Sequence, residues 1–281
     1  MLRSTVIDRA KRASQTVSAM TRELRRAHQR FLGSHYIVDI FTYRLMRLFP
    51  QVAERSQERT LNVRGGGSIS YRRNRGDIQG IREVFLDESY RLPSGIEPRV
   101  VVDLGANIGL TTVWLNRQFN IEKCVAVEPV PGNVRLLRKN LEDNRIHCEV
   151  IESAVASFQG TATFLAPVDS NLGRLGDSGD ISVTTVTMDE IVESLGCRVN
   201  LLKLDIEGGE QDLLTHGDLK WLSRVDVIIA EFHPDVVDYP GLTRVLEDHG
   251  FIYHRAGNLW PNSMDIFVSH ALAPHGAPQT S

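Results

Sequence analysis

Residues Val100–Gly109 read VVVDLGANIG, and a helix-like stretch, LTTVWLNRQF, follows without a break. The apolar run is what a strand buried on both faces requires. Small residues at Gly105, Ala106 and Gly109 let the backbone turn sharply and approach a ligand closely, while the start of the next helix presents free N–H groups. A strand, a tight turn and a helix in this order form the place where a doubly wound sheet binds nucleotide-like ligands. The next strand-like run, KCVAVE, ends in Glu128, 23 residues after Gly105. An acid there can accept hydrogen bonds from both hydroxyls of a ribose. The turn is GANIG rather than GxGxxG, so the full dinucleotide fingerprint is missing and a ligand without a pyrophosphate is expected.

The alternation continues on the C-terminal side. GNVRLLRKNLED is a helix, HCEVIESAVA a strand, and GTATFLA and ISVTTVT are β segments flanking a polar loop, Asp169 to Asp180. MDEIVESL is a helix and VNLLKLD a strand; GEQDLLTHG is a short helix, VDVIIAEF a strand and YPGLTRVLEDHG a helix. FIYHR and SMDIFVS then end the pattern as two strands with no helix between them. Val/Ile/Leu strands alternating with helices predict an α/β, Rossmann-like fold: a seven-stranded, mostly parallel sheet with helices on both faces and one antiparallel strand.

On the N-terminal side, residues 36–49 form an apolar helix closed by Pro50. LNVR and SISYRR around Gly65, Gly66 and Gly67 read as a hairpin, and residues 77–90 return to helical spacing. Pro93 and Pro98 mark a boundary. The expected organisation is a basic N-terminal helix or tail (1–32), a helical and hairpin cap (33–98), the sheet domain (99–270) and a loose tail (271–281).

A content of 42 % hydrophobic and 24 % charged residues excludes a wholly disordered chain. The net charge of −3 is unevenly spread. Residues 1–30 carry eight Lys/Arg against Asp8 and Glu23, so the body is strongly acidic and a nucleic-acid partner is not expected. The basic helix suits a peripheral contact with an anionic membrane surface. Cys124, Cys148 and Cys197 show no disulfide or zinc spacing and read as buried, reduced thiols. With no spanning or signal-like apolar stretch, a cytoplasmic protein is expected, with the basic helix as the means of contact with the inner face of a membrane.

VVDLGANIGLTTVWL, VAVEPVPGNVRLLRKNLEDN, VTTVTMDEIV and LLKLDIEGGEQDLL, in that order, resemble the FkbM family of S-adenosylmethionine-dependent methyltransferases. RRNRGDIQGIREVFLDESYRLP resembles the segment preceding the cofactor strand in that family. Gly209 stands where the family usually has Ala, another small residue. The resemblance covers roughly residues 70–255. It implies the class I methyltransferase fold, S-adenosylmethionine as cofactor, and methylation of a hydroxyl on a sugar of a glycolipid or on a secondary metabolite. Carried over, Asp103, Gly105, Ala106, Asn107, Gly109 and Glu128 line the cofactor site. Asp103 offers a carboxylate to the cofactor's ammonium, and Ser153 and Ala154 pass beside the adenine.

Methyl transfer from a sulfonium needs alignment and, for an alcohol acceptor, a base. Candidates must stand at strand ends over the cofactor. Asp205 and Glu207 end one strand; Glu231 and His233 end the next. His233 is expected as base, with Asp205 and Glu207 beside it. A divalent metal is not expected; if one takes part, Asp205, Glu207 and Glu231 are the candidate ligands. Lys203 has no assigned role. Glu210, His216 and His249 read as helix-end residues. The acceptor pocket is expected from residues 36–92 and the Asp169–Asp180 loop, with Tyr71, Tyr90 and Trp114 as stacking surfaces unless buried. The alternatives are a nicotinamide-dependent oxidoreductase, disfavoured by the missing GxGxxG and by LKLDIEGGE, and a non-catalytic interaction protein, disfavoured by the retained Asp103, Glu128, Asp205 and Glu207.

Overall fold

A computed structural model describes residues 18–48, 57–165, 174–175, 181–255 and 264–272. Residues 18–30 form helix α1. A short strand β1 (Phe31–Leu32) and helix α2 (His35–Leu48) follow. Strands β2 (Glu58–Val63) and β3 (Ser68–Arg72) make the expected hairpin, and β1 adds to it antiparallel. Helix α3 (Arg75–Ile81) starts from Asn74, whose side chain accepts from the Asp77 N–H, and runs on into a π-helical turn, Arg82–Leu86.

The second half alternates as expected: β4 (Val100–Leu104), α4 (Leu110–Gln118), β5 (Lys123–Val127), α5 (Pro131–Asp143) and β6 (Glu149–Ile151). Then come β7 (Ala154–Val155), β8 (Gly160–Leu165), β9 (Arg174–Leu175), β10 (Ile181–Val186) and α6 (Met188–Leu195). The chain continues with β11 (Val199–Leu204), α7 (Glu210–Thr215), β12 (Val225–Ala230), α8 (Tyr239–Asp248), β13 (Phe251–His254) and β14 (Asp265–Ser269). α6 begins with a reciprocal capping box between Thr187 and Glu190 and ends at left-handed Gly196, the local signals that start and stop a helix.

The central sheet has seven strands in the order β13-β14-β12-β11-β4-β5-β6. Only β14 runs against its neighbours. This is the Rossmann-like class I methyltransferase arrangement that the strand pattern and the resemblance implied. The strand period of two divides the core. Val101, Leu201, Val227, Ile229 and Ile266 face one side. Val102, Leu202, Ile228 and Phe267 face the other, under α6, α7 and α8.

Several expectations are corrected. The N-terminal helix stops at residue 30 because Phe31–Leu32 pairs with the hairpin. Ala27 and Phe31 are buried in the core that also holds Val101 and Leu201, so this end of the basic segment is docked rather than a free tail. Arg26 pairs with Asp87 at 3.1 Å, and Arg30 with Glu88. Residues 1–17 lie outside the described residues. Among the described residues of the 33–98 segment, Tyr36, Ile40, Leu61, Ile69 and Tyr71 share one cluster with a face of the sheet.

HCEVIESAVA is not one strand. β6 ends the central sheet, and β7 pairs instead with β10 in a four-stranded sheet, β7-β10-β8-β9. Of the Asp169–Asp180 loop, only Arg174–Leu175 is described; of the 271–281 tail, only residues 271–272. The thiols of Cys124, Cys148 and Cys197 are free, but only Cys124 is fully buried. Among the described residues, no helix is long and apolar enough to cross a membrane.

Asn140, fully buried on α5, fastens the hairpin to the sheet layer. Its amide donates to the carbonyls of Ser70 (2.9 Å) and Ile108 (2.8 Å) and accepts from the Ser70 N–H (2.6 Å). It thus serves β3 as a neighbouring strand would. Each bond adds only about 0.5–1.5 kcal/mol net, but leaving such groups unmade in the interior costs about 1–3 kcal/mol each.

Candidate active site

β5 and β6 lie to one side of β4, and β11 and β12 to the other, so the loops leaving β4 and β11 part over the middle of the sheet. Such a switch point opens a crevice at the strands' carboxyl ends. A cavity lies there. Its walls are the turn after β4, the ends of β5, β11 and β12, the Ser153–Val155 segment and one side of α3. The two loops touch at its floor. Gly105, at φ +71°, sits so close to the Asp205 carbonyl that a Cβ would come within 1.9 Å of that oxygen. Only glycine permits both the conformation and the approach.

Glu128 is at one end, buried. One carboxyl oxygen accepts from the Asn107 N–H (2.9 Å); the other accepts from the Val130 N–H and the Asn133 amide, both at 3.0 Å. Burial pushes its carboxyl above the usual range, and these three hydrogen bonds push back. Asn107 adopts a left-handed backbone (φ +49°), and its buried Oδ1 has no hydrogen-bond partner among the described residues.

The opposite end holds the strand-end acids. Glu207 takes a left-handed backbone (φ +56°), as does Gly208. A non-glycine residue held there carries strain of the kind found at functional loops. Glu210 folds this loop: its two carboxyl oxygens accept from the Ile206 and Gly208 N–H groups, both at 2.7 Å. It is therefore a buried organiser of the loop as well as the first residue of α7. His216 and His249 end α7 and α8, where histidines were expected.

His233 Nε2 lies 3.5 Å from Glu207 and 3.9 Å from Glu231, so the structure brings the two strand ends together. Its Nδ1 is buried and without a hydrogen-bond partner among the described residues. Burial, then Asp205, pushes Glu207 up to about 8 and Glu231 up to about 9. Burial likewise raises Glu83, which faces this end from the turn after α3.

Lys203, unassigned from sequence, is the hinge of the floor. It is 2 % exposed. Its ammonium donates to the carbonyls of Leu104 (3.0 Å) and Gly105 (2.7 Å) and pairs with Asp103 (3.3 Å) and Asp205 (3.4 Å). Burial alone would lower its pKa; Asp205 and Asp103 overcome that and leave it raised. Asp205 also accepts from the Tyr90 hydroxyl at 3.0 Å. Sequence held a faint signal: a lysine inside an apolar strand, which lies beside Asp103 in register.

Gly105, Ala106, Asn107, Glu128, Ser153, Ala154, Asp205, Glu207, Glu231 and His233 all line the cavity. Asp103 and Gly109 do not. Asp103 is fully buried behind the floor, where it accepts from the Thr112 hydroxyl (2.6 Å) and pairs with Lys203; its carboxylate is already occupied. Gly109 starts α4 at φ +83°, with its Cβ position blocked by Leu137. Of the stacking candidates only Tyr90 reaches the cavity. Trp114 is core, and Tyr71 is buried against Asp39. Asn133, which reaches Glu128 from α5, and Arg72, which reaches Asn133 from the hairpin, carry no local sequence signal of a site. Among the described residues, no group of three or more His, Cys, Asp and Glu is arranged to hold a metal ion.

A sequence model described as the methyltransferase FkbM domain matches residues 103–253. The 31-O-demethyl-FK506 methyltransferase FkbM of Streptomyces tacrolimicus is 28 % identical over 233 residues, which cover 68 % of this chain and 88 % of that protein. Methyltransferase 1 of Beauveria bassiana is 24 % identical over 196 residues, 60 % of this chain and 79 % of that one. A solved structure of methyltransferase FkbM from Methylobacillus flagellatus aligns with 91 % of this chain and 60 % of its own, at 14 % identity and a TM-score of 0.44.

Proposed function

The chain belongs to the FkbM methyltransferase family, and on that footing we propose that it uses S-adenosylmethionine to methylate a hydroxyl group of a sugar in a glycolipid or of a secondary metabolite. The observation that carries this reading is one cavity with a ribose-type acid at one end and a histidine between two carboxyls at the other.

The lining fits the cofactor chemically. It offers several acceptors: the Glu128 carboxyl, the orphaned Asn107 Oδ1 and the carboxyls of Glu207 and Glu231. Such a set suits ribose hydroxyls and a ligand with positive sulfonium and ammonium groups. It does not suit a pyrophosphate, because Lys203, the one lysine or arginine among the described lining residues, is held by Asp103 and Asp205. S-adenosylmethionine supplies, when bound, an electrophilic methyl group on a neutral leaving group.

The protein's own work is then to align and to move one proton. Glu128 and Asn107 hold the nucleoside. Tyr90 and Lys203 fix Asp205, so the floor cannot shift as the acceptor enters. His233 Nε2 takes the acceptor's hydroxyl proton; Glu207 and Glu231 favour the imidazolium that results at pH values where they are ionised. Where Glu207 and Glu231 are ionised, the lining also selects: an acceptor with phosphate or carboxylate next to its reacting hydroxyl is repelled, and a neutral polyol is not. The O-methyl chemistry in the name of the S. tacrolimicus relative supports oxygen as the target.

Calorimetry with S-adenosylmethionine and NAD tests the ligand class, and transfer of labelled methyl from S-adenosylmethionine to a panel of neutral and anionic polyols tests the reaction. Binding of S-adenosylmethionine alone, with label on neutral polyols, is expected. Tight NAD binding without S-adenosylmethionine binding would overturn the reading.

A further inference from the structure

Glu128 does not stand alone. The Asn133 amide that donates to it turns its own oxygen, Oδ1, toward Arg72, whose guanidinium donates at 2.7 Å. Arg72 ends β3 of the hairpin, 56 positions before Glu128 in the chain. Its guanidinium is gripped by Asp77, a buried residue of the cavity wall: Nε donates to one carboxyl oxygen and a terminal nitrogen to the other, both at 3.0 Å, and the Arg72 N–H adds a third bond at 2.7 Å. A row of side chains thus runs from Asp77 through Arg72 and Asn133 to Glu128.

The row has a direction. A guanidinium only donates, so it can be met only by the oxygen of the Asn133 amide. The NH₂ group must then face the other way, toward Glu128. Without Arg72 the row loses one of the two groups that set the amide's direction, and a flipped amide, which sets oxygen against oxygen at Glu128, is opposed less. The two-pronged grip of Asp77 keeps the guanidinium in place, as a lysine's single point charge would not.

We infer that Arg72 is a positioning residue for cofactor recognition: through the orientation of Asn133 it sets the Glu128 carboxyl for the ribose, and so makes the N-terminal hairpin part of the cofactor site. This rests on the proposed binding of S-adenosylmethionine at Glu128.

The test is calorimetric and needs no acceptor. Binding of S-adenosylmethionine is compared with that of its 2′,3′-dideoxy analogue in the wild type and in Arg72→Met, Arg72→Lys, Asn133→Ala and the Asn133→Ala/Arg72→Met pair. The wild type should prefer the intact ribose. Arg72→Met should lower affinity for S-adenosylmethionine about tenfold, the worth of one hydrogen bond to a charged group, while affinity for the analogue holds. Arg72→Lys should fall between, and it carries the test if Arg72→Met does not fold. In the Asn133→Ala background, removing Arg72 should change the preference no further. Equal weakening toward both ligands, or an undiminished preference in the Arg72 variants, would overturn the inference while leaving the proposed function standing. A wild type indifferent to the ribose hydroxyls would overturn both.

Discussion

The two ends of the cavity treat carboxyl groups in opposite ways. At one end Glu128 is buried but met by three N–H donors. At the other, Glu207 and Glu231 crowd His233, and burial with like charges pushes them to about 8 and about 9. A carboxyl held by fixed donors keeps one orientation, with acceptor capacity left for a ligand, and suits recognition. Carboxyls short of donors beside an imidazole shift their protons readily and suit chemistry. Lys203 joins the two halves by tying the Leu104 and Gly105 carbonyls to Asp205.

The contrast can be broken by substitutions that affect one end alone. His233→Ala is expected to lower kcat roughly 10²–10⁴-fold, the usual worth of a general base, with the Kd for S-adenosylmethionine unchanged; an equal loss in affinity would show that the ends are not separate. Glu128→Gln is expected to do the reverse. Affinity should drop about 10–100-fold, and kcat at saturating cofactor should be kept, as stopped-flow binding and steady-state rates will show.

The smallest effect is on stability. In the folded chain Glu207 binds its proton up to about 8, whereas its ordinary value is 4.5. Between those values the folded state holds a proton that the unfolded state has released, so stability falls as pH rises through this window, and Glu231 extends the fall toward about 9. Urea midpoints measured near the two ends of the window should differ in the wild type. The difference should narrow in Glu207→Gln; an unchanged difference would mean that Glu207 is not strained by its surroundings.

Much of this could be read before the fold was known, where the determinants are local. The apolar run of β4, the Gly105 turn and Glu128 lie within one strand–helix–strand unit, and period and glycine placement suffice to find them. Glu207 and His233 were found because each ends an apolar strand. What escaped depends on register. Asp103 looked like a ligand group because it precedes the turn, but strand alternation turns it behind the floor, opposite Lys203. Tyr90 meets Asp205 across 115 positions. β6 and β7 were merged because nothing in VIESAV marks the chain's change of sheet.

The fastening of the hairpin by Asn140 has a consequence for building chimeras. A crossover near residue 100, where the sheet begins, looks natural, since the segment shared with the family starts close by. Such a graft would hand Asn140 a foreign partner strand in place of Ser70 and confront Asn133 with a foreign side chain in place of Arg72. The smallest transplantable unit therefore reaches back at least to residue 58, and a donor sheet has to travel with its own hairpin.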